Sequence, residues 1–221
     1  RPLKALPRTA HAHDNSQMHT STLRLGASRL PDVGTTIFTV MSQLAAQHGA
    51  INLGQGFPDF NCDERLRQLL TEAMAQGHNQ YAPMTGLPAL RQAVAKQQEQ
   101  VYGKTWDAES EITITAGATE ALMAAVLALV HPGDEVIVFE PVYDSYAAAV
   151  TLAGGRVVPV PLDATQGFAP DWDRVRTAVT PHTRMLILNF PHNPTGRTLR
   201  ESDLRALEQL VAATGILVLS D

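Results

Sequence analysis

Residues 185–196 read MLILNFPHNPTG, from Met185 to Gly196. An unbroken apolar run passes directly into a turn that carries two prolines. A strand with one wet face would alternate apolar and polar residues, whereas a short continuous run is what a strand buried on both faces requires. Pro191 and Pro194 flank His192 and Asn193. They stiffen the turn by fixing φ, and an X–Pro bond in a tight turn is also where a cis peptide can occur. A rigid turn aims the Asn193 amide, which can donate to a phenolate oxygen. His192 invites a general-base reading, but a lone histidine at such a place is read here as a packing or supporting residue.

The same grammar extends outward in both directions. Apolar runs at Ile112–Thr115, Val136–Phe139, Val157–Val160, Met185–Asn189 and Ile216–Leu219 alternate with helical patterns near 118–131, 143–153, 171–179 and 201–213. This alternation predicts an α/β fold: three layers, with a mostly parallel sheet covered by helices on both faces. In such sheets ligands bind beyond the carboxyl ends of the strands. The chemically interesting residues do follow the runs: Ala116-Gly117-Ala118-Thr119-Glu120, Glu140-Pro141-Val142-Tyr143, the 190–196 turn, and Ser220-Asp221.

Each of these has a chemistry and a plainer alternative. Gly117, Ala118 and Thr119 are small and open a helix after a strand, where backbone N–H groups and the helix dipole favour a phosphate. They also suit an ordinary strand-to-helix turn, and they match neither G-x-G-x-x-G nor a P-loop. Tyr143 could stack on a flat heterocycle or pack on the sheet edge. Asp221 ends an apolar strand, where a carboxylate needs a cationic partner to offset desolvation. A protonated pyridine nitrogen would be one, and a cationic ring is an electron sink for a carbanion.

Ahead of the alternating region, Thr35–His48 reads as a weakly amphipathic helix and 51–60 (INLGQGFPDF) as a shaped loop. Asp63 is an N-cap for a helix with Leu66, Leu69, Leu70 and Ala73 on one face, ended by Gly77. A polar loop, 78–85, precedes a helix striped by Leu87, Leu90, Val94 and Val101. Residues 1–17, with His11 and His13, read as a disordered tail or appended sequence before Met18.

Composition narrows the class. The 221 residues are 44% hydrophobic with a net charge of −5, ordinary for a globular protein. No Lys/Arg cluster marks a nucleic-acid partner, and no apolar run has the length of a membrane span. The lone cysteine, Cys62, points to a reducing, cytoplasmic location. No metal site is expected.

Taken together, INLGQGFPDF, QYAPMTG, TAGATEAL, EPVYDSY and NFPHNPTG resemble the class I/II aminotransferases of the fold-type I pyridoxal-phosphate (PLP) enzymes. The nearest branch is the one containing kynurenine, glutamine–phenylpyruvate and methionine aminotransferases, and the likeness runs from about Leu23 to Asp221. It implies PLP as cofactor, amino-acid and 2-oxo-acid substrates, ping-pong transfer of an α-amino group, and a homodimer. The backbone at Gly117, Ala118 and Thr119 would hold the phosphate, Tyr143 would stack on the ring, and Asn193 would bond its phenolic oxygen. Asp221 would bond its nitrogen. Tyr81 would reach the phosphate in the neighbouring subunit, and Gly56 would line the substrate carboxylate site. Residues 18–60 would contribute to a small domain and 61–221 would form an incomplete PLP-binding large domain.

The family also needs a Schiff-base lysine downstream of the Asp221 position. This chain has only Lys4, Lys96 and Lys104, none of which follows a strand end. The expectation is therefore an N-terminal portion, cut or truncated at Asp221 and inactive alone. Alternatives are a non-catalytic PLP-binding or dimerisation fragment, and a cysteine-conjugate C–S lyase. A nucleotide-binding Rossmann domain would need a glycine fingerprint that is missing.

Overall fold

The computed structural model describes residues 28–30, 34–56 and 58–221. The expected tail at 1–17 lies outside them. In chain order the elements are α1 (Ile37–Gln47), α2 (Glu64–Ala75), α3 (Pro88–Tyr102), α4 (Ala118–Leu129), β1 (Glu135–Glu140), α5 (Asp144–Ala153), β2 (Arg156–Pro161), a 3₁₀ turn (Ala164–Gln166), α6 (Trp172–Ala178), β3 (Thr183–Leu188), α7 (Glu201–Thr214) and β4 (Leu217–Ser220).

The four strands form one parallel sheet in the order β2-β1-β3-β4. Successive side chains of a strand point to opposite faces, and the core divides accordingly. Val136 and Val138 of β1 and Met185 and Ile187 of β3 pack with Leu122, Val126, Tyr146 and Ala149 of α4 and α5. Ile137, Phe139, Leu186 and Leu188 pack on the other face with Trp172, Val175 and Leu210 of α6 and α7. This is the three-layer architecture predicted above. Phe139 meets Trp172 and Phe190 edge-to-face at 6.2 and 5.7 Å, contacts worth about 0.5–1.5 kcal/mol each beyond area burial.

Local signals account for the helix ends. Asp63 caps α2 by accepting from the Arg65 N–H at 2.7 Å. Pro88 starts α3, where a missing N–H costs nothing, and Gly103 ends it in the left-handed region at φ 67°.

One expectation is corrected. Ile112–Thr115 is not a strand: it is extended but unladdered, and its recorded backbone bond runs from the Ile114 N–H to Thr85 O at 3.0 Å. A strand needs a neighbour with matching donors and acceptors, and no described strand runs beside it. The apolar faces of α2 and α3 exist as helices but are not buried: Leu66, Leu69, Leu70, Leu87, Leu90 and Val101 are all exposed.

Candidate active site

From β1 the chain turns to one side to form β2, then crosses back to form β3 on the other side. That reversal opens a crevice at the strands' carboxyl ends, where connecting loops diverge. A cleft of about 290 Å3 lies there, lined by Ala118, Thr119, Leu122, Tyr143, Asn189, Asn193 and Asp221. Five of the eight residues expected at the site thus meet in one cavity, and a sixth, Gly117, is the N-cap residue of α4 beside it.

The start of α4 is built to leave donors free. Gly117 sits at φ 95°, ψ 168°, a region essentially restricted to glycine. Thr115 Oγ1 donates to Gly117 O at 2.9 Å, and the Glu120 carboxylate accepts the Ala116 N–H. These bonds fix the loop ahead of the helix. The helix itself carries no side-chain cap, so its first-turn N–H groups and dipole face the cleft as an anion seat.

Opposite this end, Tyr143 is the N-cap residue of α5 and is half-buried, its ring 5.6 Å from that of Tyr146 in a T-shaped pair. Asn193 stands in the proline turn, where both Phe190–Pro191 and Asn193–Pro194 are cis. The turn is closed by the Gly196 N–H to His192 O and the His192 N–H to Arg197 O, each 2.7 Å. His192 is buried within it, Nδ1 2.9 Å from Thr195 Oγ1. Asp221 is fixed by its backbone N–H to Leu188 O at 2.9 Å, and its exposed carboxylate accepts a hydrogen bond from the Tyr146 hydroxyl.

Two expected residues lie outside this cleft lining. Gly56 is exposed, with nothing within 4 Å of where a Cβ would stand. Its neighbour Gln55 lines a second cleft of about 550 Å3 that shares Thr119 and Tyr143 with the first. The loop therefore borders the site. Tyr81 is fully exposed. No described lysine reaches the cleft: Lys96 is exposed on α3, and Lys104 Nζ sits 4.0 Å over the Trp106 ring. A groove of about 470 Å3 between α6 and α7 offers Arg176 as its one charged side chain, and that guanidinium is paired with Asp173.

The sequence reading missed Tyr146 and Asn189. Asn189 ends the β3 run, one position before the turn that drew attention, and its side chain lines the cleft. Tyr146 follows Tyr143 by three residues, one helical turn on, so a helix beginning at Asp144 sets both on one side. That spacing was the available signal.

The cavity fits a flat, phosphorylated heterocycle. It offers helix donors for an anion, an aromatic face, an amide donor, and a carboxylate for a ring cation.

Comparison with known proteins agrees with this chemistry. The family model for class I and II aminotransferases matches residues 48–221. The methionine aminotransferase of Escherichia coli is 53% identical over 194 residues, covering 88% of this chain and 50% of that protein. A probable N-succinyldiaminopimelate aminotransferase of Mycobacterium tuberculosis is 48% identical over 195 residues, covering 88% of this chain and 49% of that one. The chain thus spans about half the length of the curated relatives it matches. Among solved structures, the E. coli methionine aminotransferase superposes with a TM-score of 0.84 over 88% of this chain and 51% of that chain, at 53% identity. A Thermus thermophilus aspartate aminotransferase gives 0.79 at 35% identity, over 88% of this chain and 52% of that one.

Proposed function

The chain belongs to the class I and II aminotransferases, and from that premise we propose that the full protein moves an α-amino group between an amino acid and a 2-oxo acid, with pyridoxal phosphate as cofactor. The observation that carries this reading is the convergence of an uncapped helix start, Tyr143, Asn193 and Asp221 on one cleft at the sheet's switch point. When bound, the cofactor supplies an aldehyde that takes up the amino group and a ring that accepts the electron pair released at the donor's α-carbon.

The residues of this chain divide that work. Backbone N–H groups at Gly117, Ala118 and Thr119 bind the phosphate, using the α4 dipole. Tyr143 covers one face of the ring and excludes water from it. The Asn193 amide donates to the phenolic oxygen. Asp221 accepts from the ring nitrogen and keeps it protonated, which strengthens the electron sink. Gly56 leaves room at the loop that would meet the substrate carboxylate. The lysine that anchors the cofactor and moves the proton is assigned to the part of the relatives' length that this chain does not span.

The assembly is a homodimer in which exposed Tyr81 reaches the neighbouring subunit's phosphate. Residues 18–60 belong with a small domain and 61–221 with the large one. A cytoplasmic location suits a chain whose cysteine, Cys62, is free and exposed.

Methionine is the proposed amino donor, supported by the 53% identity to the E. coli enzyme. N-Succinyldiaminopimelate is its competitor, at 48%. A donor panel on the full-length protein tests this. Methionine should give the highest kcat/KM, and Asp221→Ala should lower kcat by about a hundredfold or more, the scale of losing a preorganised electrostatic group. Undiminished turnover in Asp221→Ala would remove the assignment.

A further inference from the structure

Tyr146 is 3% exposed, and behind the cleft lining its hydroxyl donates to Oδ2 of Asp221, which lines the cleft. Asn189 Nδ2 donates to the same hydroxyl at 2.8 Å, and Asn189 Oδ1 accepts the Asn193 N–H at 3.3 Å. The directions follow from the donors. The Asn193 backbone N–H can only donate, so it fixes Asn189 Oδ1 toward itself and Nδ2 toward the phenol. The phenol has one proton, and because it accepts from Asn189 that proton goes to Asp221. One chain of hydrogen bonds therefore runs from the Asn193 turn to the Asp221 carboxylate.

We propose that Tyr146, supported by Asn189, is a positioning residue that orients the Asp221 carboxylate toward the ring nitrogen of the bound heterocycle and couples it to the Asn193 turn. The proposal rests on the assignment of this cleft to pyridoxal phosphate. The backbone of Asp221 is held by Leu188 O, but its carboxylate is exposed at the end of β4, and the Tyr146 hydroxyl is its recorded side-chain partner among the described residues. A carboxylate free to rotate would spend less time facing a ring nitrogen. Burial and the neighbouring Asp221 carboxylate push the Tyr146 phenol well above its usual range, against the opposing Asn189 bond. The hydroxyl therefore stays protonated and available to donate at neutral pH.

Tyr146→Phe removes the hydroxyl and keeps the ring that packs against Tyr143. The probes are pyridoxamine 5′-phosphate, which binds without a covalent bond, and its analogue with the ring nitrogen replaced by C–H. Dissociation constants are measured calorimetrically on the full-length protein, with melting temperatures alongside. The wild type should prefer the nitrogen ligand, and Asp221→Ala should abolish that preference. Tyr146→Phe should cut it about tenfold while leaving affinity for the C–H analogue unchanged. Asn189→Ala should act in the same direction, and it carries the test if the Phe variant fails to fold.

Equal weakening of both ligands, or an unchanged preference, in a protein whose preference depends on Asp221 would overturn the positioning role alone. A wild type without any preference would overturn the cofactor assignment and this proposal with it.

Discussion

His192 lies in the middle of the proline turn, 3% exposed. Burial holds its imidazole below the ordinary value of 6.5, and a backbone bond at Pro141 opposes the shift only in part. The folded protein therefore keeps this ring neutral at pH values where the unfolded chain already protonates it. Between the lowered folded pKa and about 6.5 the unfolded state binds more protons, so stability rises with pH across that window and falls as the solution is acidified. Denaturation midpoints measured from pH 7.5 to 5.5 should decline, and His192→Gln should lose part of that slope. An identical slope in the variant would show that His192 does not titrate in this way. The packing role of His192 could be read from its lone position between prolines. The Tyr146–Asn189–Asp221 connection could not, because 75 residues separate Tyr146 from Asp221 and only the sheet order brings their elements together.

The start of α4 is the element on which the anion seat depends. Gly117 has no heavy atom within 4 Å of a built Cβ, so Gly117→Ala meets no steric obstacle. Its penalty is the backbone conformation at φ 95°, ψ 168°, about 1–3 kcal/mol for a non-glycine residue. If the loop relaxes to escape that strain, the first-turn N–H groups shift as well. The variant should melt lower than the wild type and gain less from added pyridoxal phosphate, which differential scanning calorimetry with and without the cofactor reads. An equal cofactor-induced gain in both proteins would place the phosphate elsewhere. The glycine-and-alanine composition of 116–119 made this element legible. Four of the five apolar runs form strands; the inner pair, β1 and β3, is buried on both faces as an unbroken apolar run implies, whereas the outer pair, β2 and β4, is only partly buried. Ile112–Thr115 was misread because an apolar run specifies burial but not a partner. Its environment is set by Gly86, whose missing Cβ lets Ile114 lie where an added carbon would stand 2.4 Å from Cγ1, and nothing in the local sequence announces that approach.

At the scale of the molecule, the two cores on either side of the sheet fix where the strands end, and the strand order fixes where the loops part. The candidate site follows from that placement, because residues scattered from Gly117 to Asp221 converge only through the parallel register. Periodicity revealed the layers. The uncovered apolar faces of α2 and α3 show the limit of such reading, since a stripe at helical spacing gives the buried side but not what covers it. Pyridoxal phosphate is proposed to bind in the switch-point cleft rather than in the groove between α6 and α7. A crystal structure of the full-length protein with the cofactor bound tests this directly. Phosphate density is expected at the N-terminus of α4, with the ring against Tyr143 and its nitrogen on Asp221. Cofactor density in the α6–α7 groove, or a ring turned so that its nitrogen faces away from Asp221, would contradict it.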